Sequence, residues 1–164
     1  MTRTEIITAD LNRKPHQEAV LDLLDTFSRD AMGNNRPMAP DVRERLIPGL
    51  RAHPTTLIFL AYLEARPVGL AVCFRGFSTF AAKPLINIHD IVVLPEARGR
   101  GIGKALLAAV EKAARAGDCC KVTLEVQENN LRARRVYAAA GFVQAVYAQD
   151  AGGSLALAKP ITPD

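Results

Sequence analysis

The stretch Asn87-Ile88-His89-Asp90-Ile91-Val92-Val93-Leu94-Pro95-Glu96-Ala97-Arg98-Gly99-Arg100-Gly101-Ile102-Gly103-Lys104 decides how this chain is read. A β-rich run ends at Pro95. A basic, glycine-dense loop follows, and Ala105-Leu106-Leu107-Ala108-Ala109-Val110 opens a helix. Backbone amides of such a loop, with the free N–H groups of a helix N-terminus, make an anion site. Glycine lets the backbone approach the anion closely, because no Cβ intervenes. Arg98, Arg100 and Lys104 add positive charge. The pattern predicts a ligand bearing phosphate or pyrophosphate.

Two familiar phosphate motifs do not fit. A P-loop needs glycine five residues before its Gly-Lys pair and Ser or Thr after it. Arg98 and Ala105 occupy those positions. A dinucleotide fingerprint reads G-x-G-x-x-G, and here Lys104 stands where the third glycine belongs. The ribose-binding acid expected about 20 residues later falls on Glu125, inside the next apparent strand.

A third pattern does fit. Arg98-x-x-Gly101-x-Gly103 after a strand resembles the acetyl-CoA pyrophosphate loop of the GNAT acetyltransferase superfamily. Downstream, Asn130-x-x-Ala133-x-x-x-Tyr137-x-x-x-Gly141-Phe142 looks like the superfamily's other signature. A strand-like Lys121-Val122-Thr123-Leu124-Glu125-Val126 lies between them. The likeness is close over residues 56–145; before that it extends only to a helix-rich character.

Working outward, the 164 residues suit one domain with a continuous core, 1–164. Hydrophobic content of 49% and charged content of 23% are ordinary for a soluble protein. No apolar run is long enough to span a bilayer, and Met1-Thr2-Arg3-Thr4-Glu5 lacks the apolar core of a signal peptide. Cys73, Cys119 and Cys120 show no zinc spacing. They read as reduced thiols of a cytoplasmic protein, packed as small hydrophobes. A net charge of +4 raises the question of nucleic acid, but the arginines are scattered apart from the loop and Arg132, Arg134 and Arg135. With no Trp and 5% aromatics, stacking platforms are poor. A phosphorylated cofactor accounts for the local charge more economically, and neither nucleic acid nor membrane is expected as a partner.

Patterning places strands at 4–8, 56–63, 68–74, 85–94 and 121–126, with closing strands at 142–148 and 154–159. Helices follow from Asn12 or Lys14-Pro15, where Val20, Leu23, Leu24 and Phe27 share a face, and from Val42, capped by Asp41. A third helix buries Ile102, Leu106, Val110 and Ala113, and a fourth is capped by Asn129 or Asn130 and stopped by Gly141. The resulting α/β (α+β) order is β-α-α-β-β-β-α-β-α-β-β. It resembles the GNAT arrangement, a mixed, mostly antiparallel central sheet flanked by helices. That likeness implies two splayed parallel strands, 85–94 and 121–126, with the pantetheine arm of the cofactor in the gap. Splaying leaves buried amides that need partners, and the backbone of Ile91, Val92 and Val93 would pair with the arm.

The resemblance also assigns roles. Arg98, Gly99, Arg100, Gly101, Ile102, Gly103 and Lys104 form the pyrophosphate loop, with Arg98 ordering the loop and Arg100 and Lys104 able to meet phosphates. Asn130 contacts the cofactor arm or simply caps its helix. Tyr137, one turn after Ala133, is the general acid that protonates the departing thiolate. A general base must deprotonate the amine. In the diamine-acetyltransferase branch two acids occupy the positions of His89 and Asp90, so the substitution leaves His89, Asp90 or a solvent relay through Glu125 or a backbone carbonyl in that role. Imidazole, with a reference pKa near 6.5, suits it. Strand alternation lets only one of the pair point into the cleft. Phe77-Ser78-Thr79-Phe80 and the 29–40 loop, with Arg29, Asp30, Asn34, Asn35 and Arg36, are expected walls of the acceptor site.

The expected activity is N-acetylation by direct attack of a primary amine on acetyl-CoA in a ternary complex, with no metal. Backbone N–H near Val92 or Val93 would stabilise the oxyanion. The diamine-acetyltransferase likeness implies a small polyamine or amino-acid-like acceptor and a homodimer. Acetylation of an antibiotic or protein amine, or a non-catalytic CoA-binding sensor, are the rivals.

Overall fold

The computed structural model describes residues 3–146, 150 and 152–161. Its elements run β1 (Thr4–Thr8), α1 (Lys14–Arg29), α2 (Pro40–Ala52), β2 (Thr56–Leu63), β3 (Arg66–Ser78), β4 (Lys83–Val93), a 3₁₀ turn (Pro95–Ala97), α3 (Ile102–Ala116), β5 (Val122–Leu124) and α4 (Leu131–Ala139). The strands form one sheet in the order β1-β2-β3-β4-β5. The first four are antiparallel, and β5 joins β4 in parallel. This is the mixed, mostly antiparallel sheet flanked by helices that the sequence predicts.

Both faces of the sheet are covered, which explains why β2 reads as a continuous apolar run. Leu57, Phe59 and Ala61 face a core built with Ile102, Leu106, Leu107 and Val110 of α3. Ile58 and Leu60 face a second core built with Val20, Leu23 and Leu24 of α1 and Ile47 and Leu50 of α2. Gly69 lets α3 settle onto β3. A Cβ there would stand 2.8 Å from the Val92 carbonyl oxygen and 3.3 Å from the side chains of Ile102 and Leu106.

Several local expectations are corrected. Residues 142–146 and 154–159 carry no strand, and residues 147 and 148 lie outside the described ones. Val143, Val146, Leu155 and Leu157 are exposed. A strand needs a ladder to join, and β5 spans three residues, a short edge to extend. Asp41 does not cap α2: Ala39 is the N-cap, and Asp41 sits in the first turn, bonded to Arg45. Residues 75–84, between the strands expected at 68–74 and 85–94, are mostly ladder, since β3 and β4 stay paired out to Ser78 and Lys83. Of the cysteines, Cys73 is buried, Cys119 half-buried and Cys120 exposed, and all three are free thiols.

Candidate active site

The β3–β4 ladder slips at one point. Cys73 faces Ile88 and Val72 faces Asp90, so His89 is an extra residue, a β-bulge. Its consequence is visible in the cores. Ile86 and Ile88 pack on the α3 side, and beyond the bulge so do Ile91 and Val93, while Val92 packs on the α1–α2 side. Alternation therefore changes parity between Ile88 and Ile91. His89 and Asp90, the two residues in between, both fall on the α1–α2 side. The expectation that only one could face the cleft holds for a regular strand and fails at a bulge.

β4 and β5 pair only at Ile86–Val122, Asn87–Thr123 and Ile88–Leu124, while β4 continues to Val93. The strands thus part beyond Ile88. The Leu94 N–H donates to the Val68 carbonyl at 2.9 Å, which fixes the phase of the antiparallel ladder. Hydrogen-bonding groups of successive residues turn to opposite sides. Val92 therefore turns its N–H and C=O to β3, and Ile91 and Val93 turn theirs toward the gap. Of the three residues expected to meet a ligand through their backbone, the alternation orients Ile91 and Val93 for it. Val92 still contributes to the wall.

A cleft of about 540 Å³ opens in this gap. His89, Asp90, Ile91, Val92, Val93, Arg98, Gly99, Gly101, Ile102, Gly103, Lys104, Asn130 and Tyr137 all line it, whereas Arg100 is exposed outside the lining. Gly99 and Gly101 have φ of +76° and +77°, and nothing lies within 4 Å of where a Cβ would stand. Their left-handed backbone is one that L side chains resist. Gly101 is also the N-cap of α3. The first α-helical bond there runs from Ala105 N–H to the Gly101 carbonyl. The amides of Ile102, Gly103 and Lys104 precede it, as in any helix N-terminus. Open backbone, a helix N-terminus and Lys104 fit a pyrophosphate group, and the unpaired strand edge fits an amide-bearing arm.

Arg98 works within the protein. Its Nε donates to the Val93 carbonyl at 3.0 Å and its Nη2 to Asp30 Oδ2 at 3.0 Å. Asp30 ends α1 and also accepts the Met32 N–H at 2.9 Å. Gln127, just beyond β5, donates to the Met32 carbonyl at 3.1 Å. These bonds strap together the glycine loop, the α1 terminus and the β5 exit around the cleft. The Met32 amide and then Arg98 hold the Asp30 carboxyl below the usual carboxylate range. Asp30 and Met32 of the 29–40 loop line the cleft. Gln127 was not anticipated, since nothing in its sequence neighbourhood marks it. Phe77 and Phe80 are 63% and 100% exposed near the β3–β4 turn, and the Phe77–Phe80 segment does not line the cleft.

Asn130 caps α4, its Oδ1 accepting the Ala133 N–H at 3.2 Å; this leaves the side-chain N–H₂ as its donor toward the cleft. Ala133 and Tyr137 are the two partly buried residues of α4 and share the cleft-facing side. The Tyr137 ring lies 6.0 Å from that of Phe142. Burial pushes its phenol above the ordinary 10.0, so it holds its proton at neutral pH. Burial also raises the Asp90 carboxyl, an effect that the neighbouring His89 opposes. Cys73 is pushed up to about 12, by burial and then by Asp90, which makes it an inert thiol.

Comparison with known proteins agrees with this geometry. Residues 18–142 match the model of the acetyltransferase (GNAT) family. Over 103 residues the chain is 36% identical to an uncharacterized N-acetyltransferase of Archaeoglobus fulgidus, covering 59% of this chain and 64% of that protein. Over 74 residues it is 35% identical to the thialysine N-epsilon-acetyltransferase of Bos taurus, covering 45% and 43%. The matched stretches thus span less than two thirds of either relative. Among solved structures, a probable acetyltransferase superposes with a TM-score of 0.78 at 19% identity, over 95% of this chain and 99% of that one. An aminoglycoside N-acetyltransferase in complex with CoA superposes with a TM-score of 0.72 at 19% identity, over 90% and 93%. At such identity these likenesses speak for the fold. The family model spans α1 through Phe142, across the splayed strands, the glycine loop and α4, and the chain belongs to the GNAT acetyltransferase family.

Proposed function

We propose that this chain, read as one domain over 1–164, transfers an acetyl group from acetyl-CoA to a primary amine by direct attack in a ternary complex. The observation that carries the reading is convergence. An open strand edge, a glycine loop at a helix N-terminus, two titratable groups and a phenol all line one cleft. Bound acetyl-CoA supplies a thioester carbon that accepts the amine nitrogen and a sulfur that leaves.

The chain's residues then divide the remaining tasks. The amides of the Gly99–Lys104 loop hold the pyrophosphate, with Lys104 adding charge. The backbone of Ile91 and Val93 holds the arm, and the Val93 N–H donates to the acetyl oxygen as charge grows there. His89 or Asp90 takes the ammonium proton, directly or through water. The raised carboxyl of Asp90 makes it a better base than a solvated aspartate. Tyr137 Oη gives its proton to the leaving sulfur.

The diamine-acetyltransferase likeness implies a small polyamine or amino-acid-like acceptor, and of the two we assign the amino-acid-like amine. We assign a homodimer on the same ground, testable by sedimentation, and a cytoplasmic location from the free thiols. No helix among the described residues is long and apolar enough to cross a membrane. The test is release of free thiol from acetyl-CoA across a panel of amines. Amine-dependent thiol release supports the reading. Saturable acetyl-CoA binding with no release from any amine would replace it with the sensor reading.

A further inference from the structure

We propose that a second groove, adjoining the cleft, holds the body of the acceptor, and that the acceptor is a primary amine on a short linker to a compact aromatic or branched apolar group. The role of the nitrogen rests on the acetyl-transfer reading; the placement of the body rests on the groove itself. The groove has a volume of about 340 Å³ and lies between α2 and β3, lined by Val42, Leu46, Leu50 and Phe74 together with Arg45 and His53. Phe74 joins it to the cleft. The Phe74 ring meets the His89 ring edge-on at 5.5 Å, and His89 lines the cleft. The same ring meets His53 edge-on at 4.9 Å, and His53 lines the groove. A nitrogen held at His89 and Asp90 therefore has its substituent directed past Phe74. An aromatic or branched group gains there by apolar burial and by ring contact.

Gly49 supplies the independent observation. It sits in the last turn of α2, directly after Pro48, and both residue types weaken a helix. Its backbone does not require glycine, since no positive φ occurs there. Packing does not require it either, since nothing lies within 4 Å of where its Cβ would stand. Gly49 is exposed and lines the groove, so its missing side chain leaves the groove wall open to an occupant from solvent. The lining also selects. A polyamine would bring a second ammonium to a surface that offers Arg45 and no carboxylate among its lining residues. Arg45 itself is ion-paired with Asp41 at 2.7 Å, so the groove is not built around an anion.

The experiment titrates the protein with 2-phenylethylamine and with putrescine and follows the methyl resonances of Val42, Leu46 and Leu50 and the ring resonances of Phe74 and His53. Saturable shifts with phenylethylamine and none with putrescine are expected. Gly49→Leu adds a side chain whose Cβ meets nothing within 4 Å and favours the helix; it should weaken phenylethylamine binding at least tenfold, with thermal unfolding checking the fold. Absent shifts in the wild type, equal shifts with putrescine, or unchanged affinity in folded Gly49→Leu would each overturn the proposal. Thiol release from acetyl-CoA is measured separately with the same amines. Groove binding without release refutes acetyl transfer and keeps the groove, whereas release from putrescine with silent groove resonances does the reverse.

Discussion

A carboxyl taken out of water by burial holds its proton to higher pH, and a neighbouring imidazole opposes that rise. Asp90 is in that position beside His89, both on the α1–α2 side of β4. The rate on a good amine should rise with pH as the base loses its proton. His89→Gln keeps reach and polarity and removes the imidazole's titration. Asp90→Asn removes the carboxylate. If His89 is the base, only the first variant erases the lower limb of the kcat/KM profile, and the second keeps it. An undisturbed profile in both variants would move the proton to solvent. Tyr137 makes a simpler case. Its phenol, raised by burial, stays protonated throughout the working range. Tyr137→Phe should keep acetyl-CoA affinity and lower kcat by roughly 10² to 10⁴, the range for a lost general acid. Unchanged turnover would make Tyr137 a packing partner of Phe142.

Elements bring these residues together, and their contacts give separate predictions. Gly69 sits where α3 approaches the sheet, and a Cβ added there would stand 2.8 Å from the Val92 oxygen. Gly69→Ala should destabilise the fold by about 1–3 kcal/mol through overpacking, read as a lower urea midpoint at unchanged slope. The α1–α2 connection is pinned by two carboxylates. Asp25 accepts the Met38 N–H at 2.8 Å and Asp30 that of Met32 at 2.9 Å. Both are held below the ordinary 3.8, first by those amides and then by Arg29 and Arg98. A carboxyl lowered by folding stabilises the folded state above its unfolded pKa. That contribution is lost as pH falls through the lower folded value. The Met32 and Met38 amide resonances should therefore shift below about pH 3.8, the ordinary value; a midpoint above it would contradict the assignment.

The same contrast explains what could be read in advance. β1 and β2 were legible to the residue, because apolar periodicity and turn residues mark their ends. The glycine loop was legible because alternate glycines before a helix have few other uses. The bulge was not. A bulge arises from register between two strands, which no single segment encodes, and it overturned the expectation that only one of His89 and Asp90 could face the cleft. Nor was the strap of Arg98, Asp30, Met32 and Gln127, whose hydrogen-bonded partners lie up to 95 residues apart in sequence. The closing strands failed for a related reason. Ser154-Leu155-Ala156-Leu157 alternates correctly, but alternation predicts a face and not the presence of a neighbour.

At the scale of the whole molecule, one sheet serves two cores, and the residues that matter chemically lie where its ladder is interrupted on both edges of β4. On one edge β5 diverges after Leu124. On the other the ladder slips at His89. The second interruption has a consequence for how such a chain tolerates the loss of a codon. In a regular strand, deleting one residue throws every later side chain to the wrong face. Deleting His89 would do the opposite. Asp90 would take the vacated place, Val72–Asp90 and Cys73–Ile88 would become consecutive rungs, and Ile91, Val92 and Val93 would stay on the faces they occupy now. The shortened protein should fold with wild-type or greater thermal stability while losing turnover, a result that unfolding and thiol-release measurements on one preparation can establish. A shortened chain that fails to fold would mean that the extra residue is needed by the sheet's curvature. The expected outcome would mark this position as the one in β4 where inheritance can add or remove a residue freely as far as the architecture is concerned, so that its retention reports on chemistry alone.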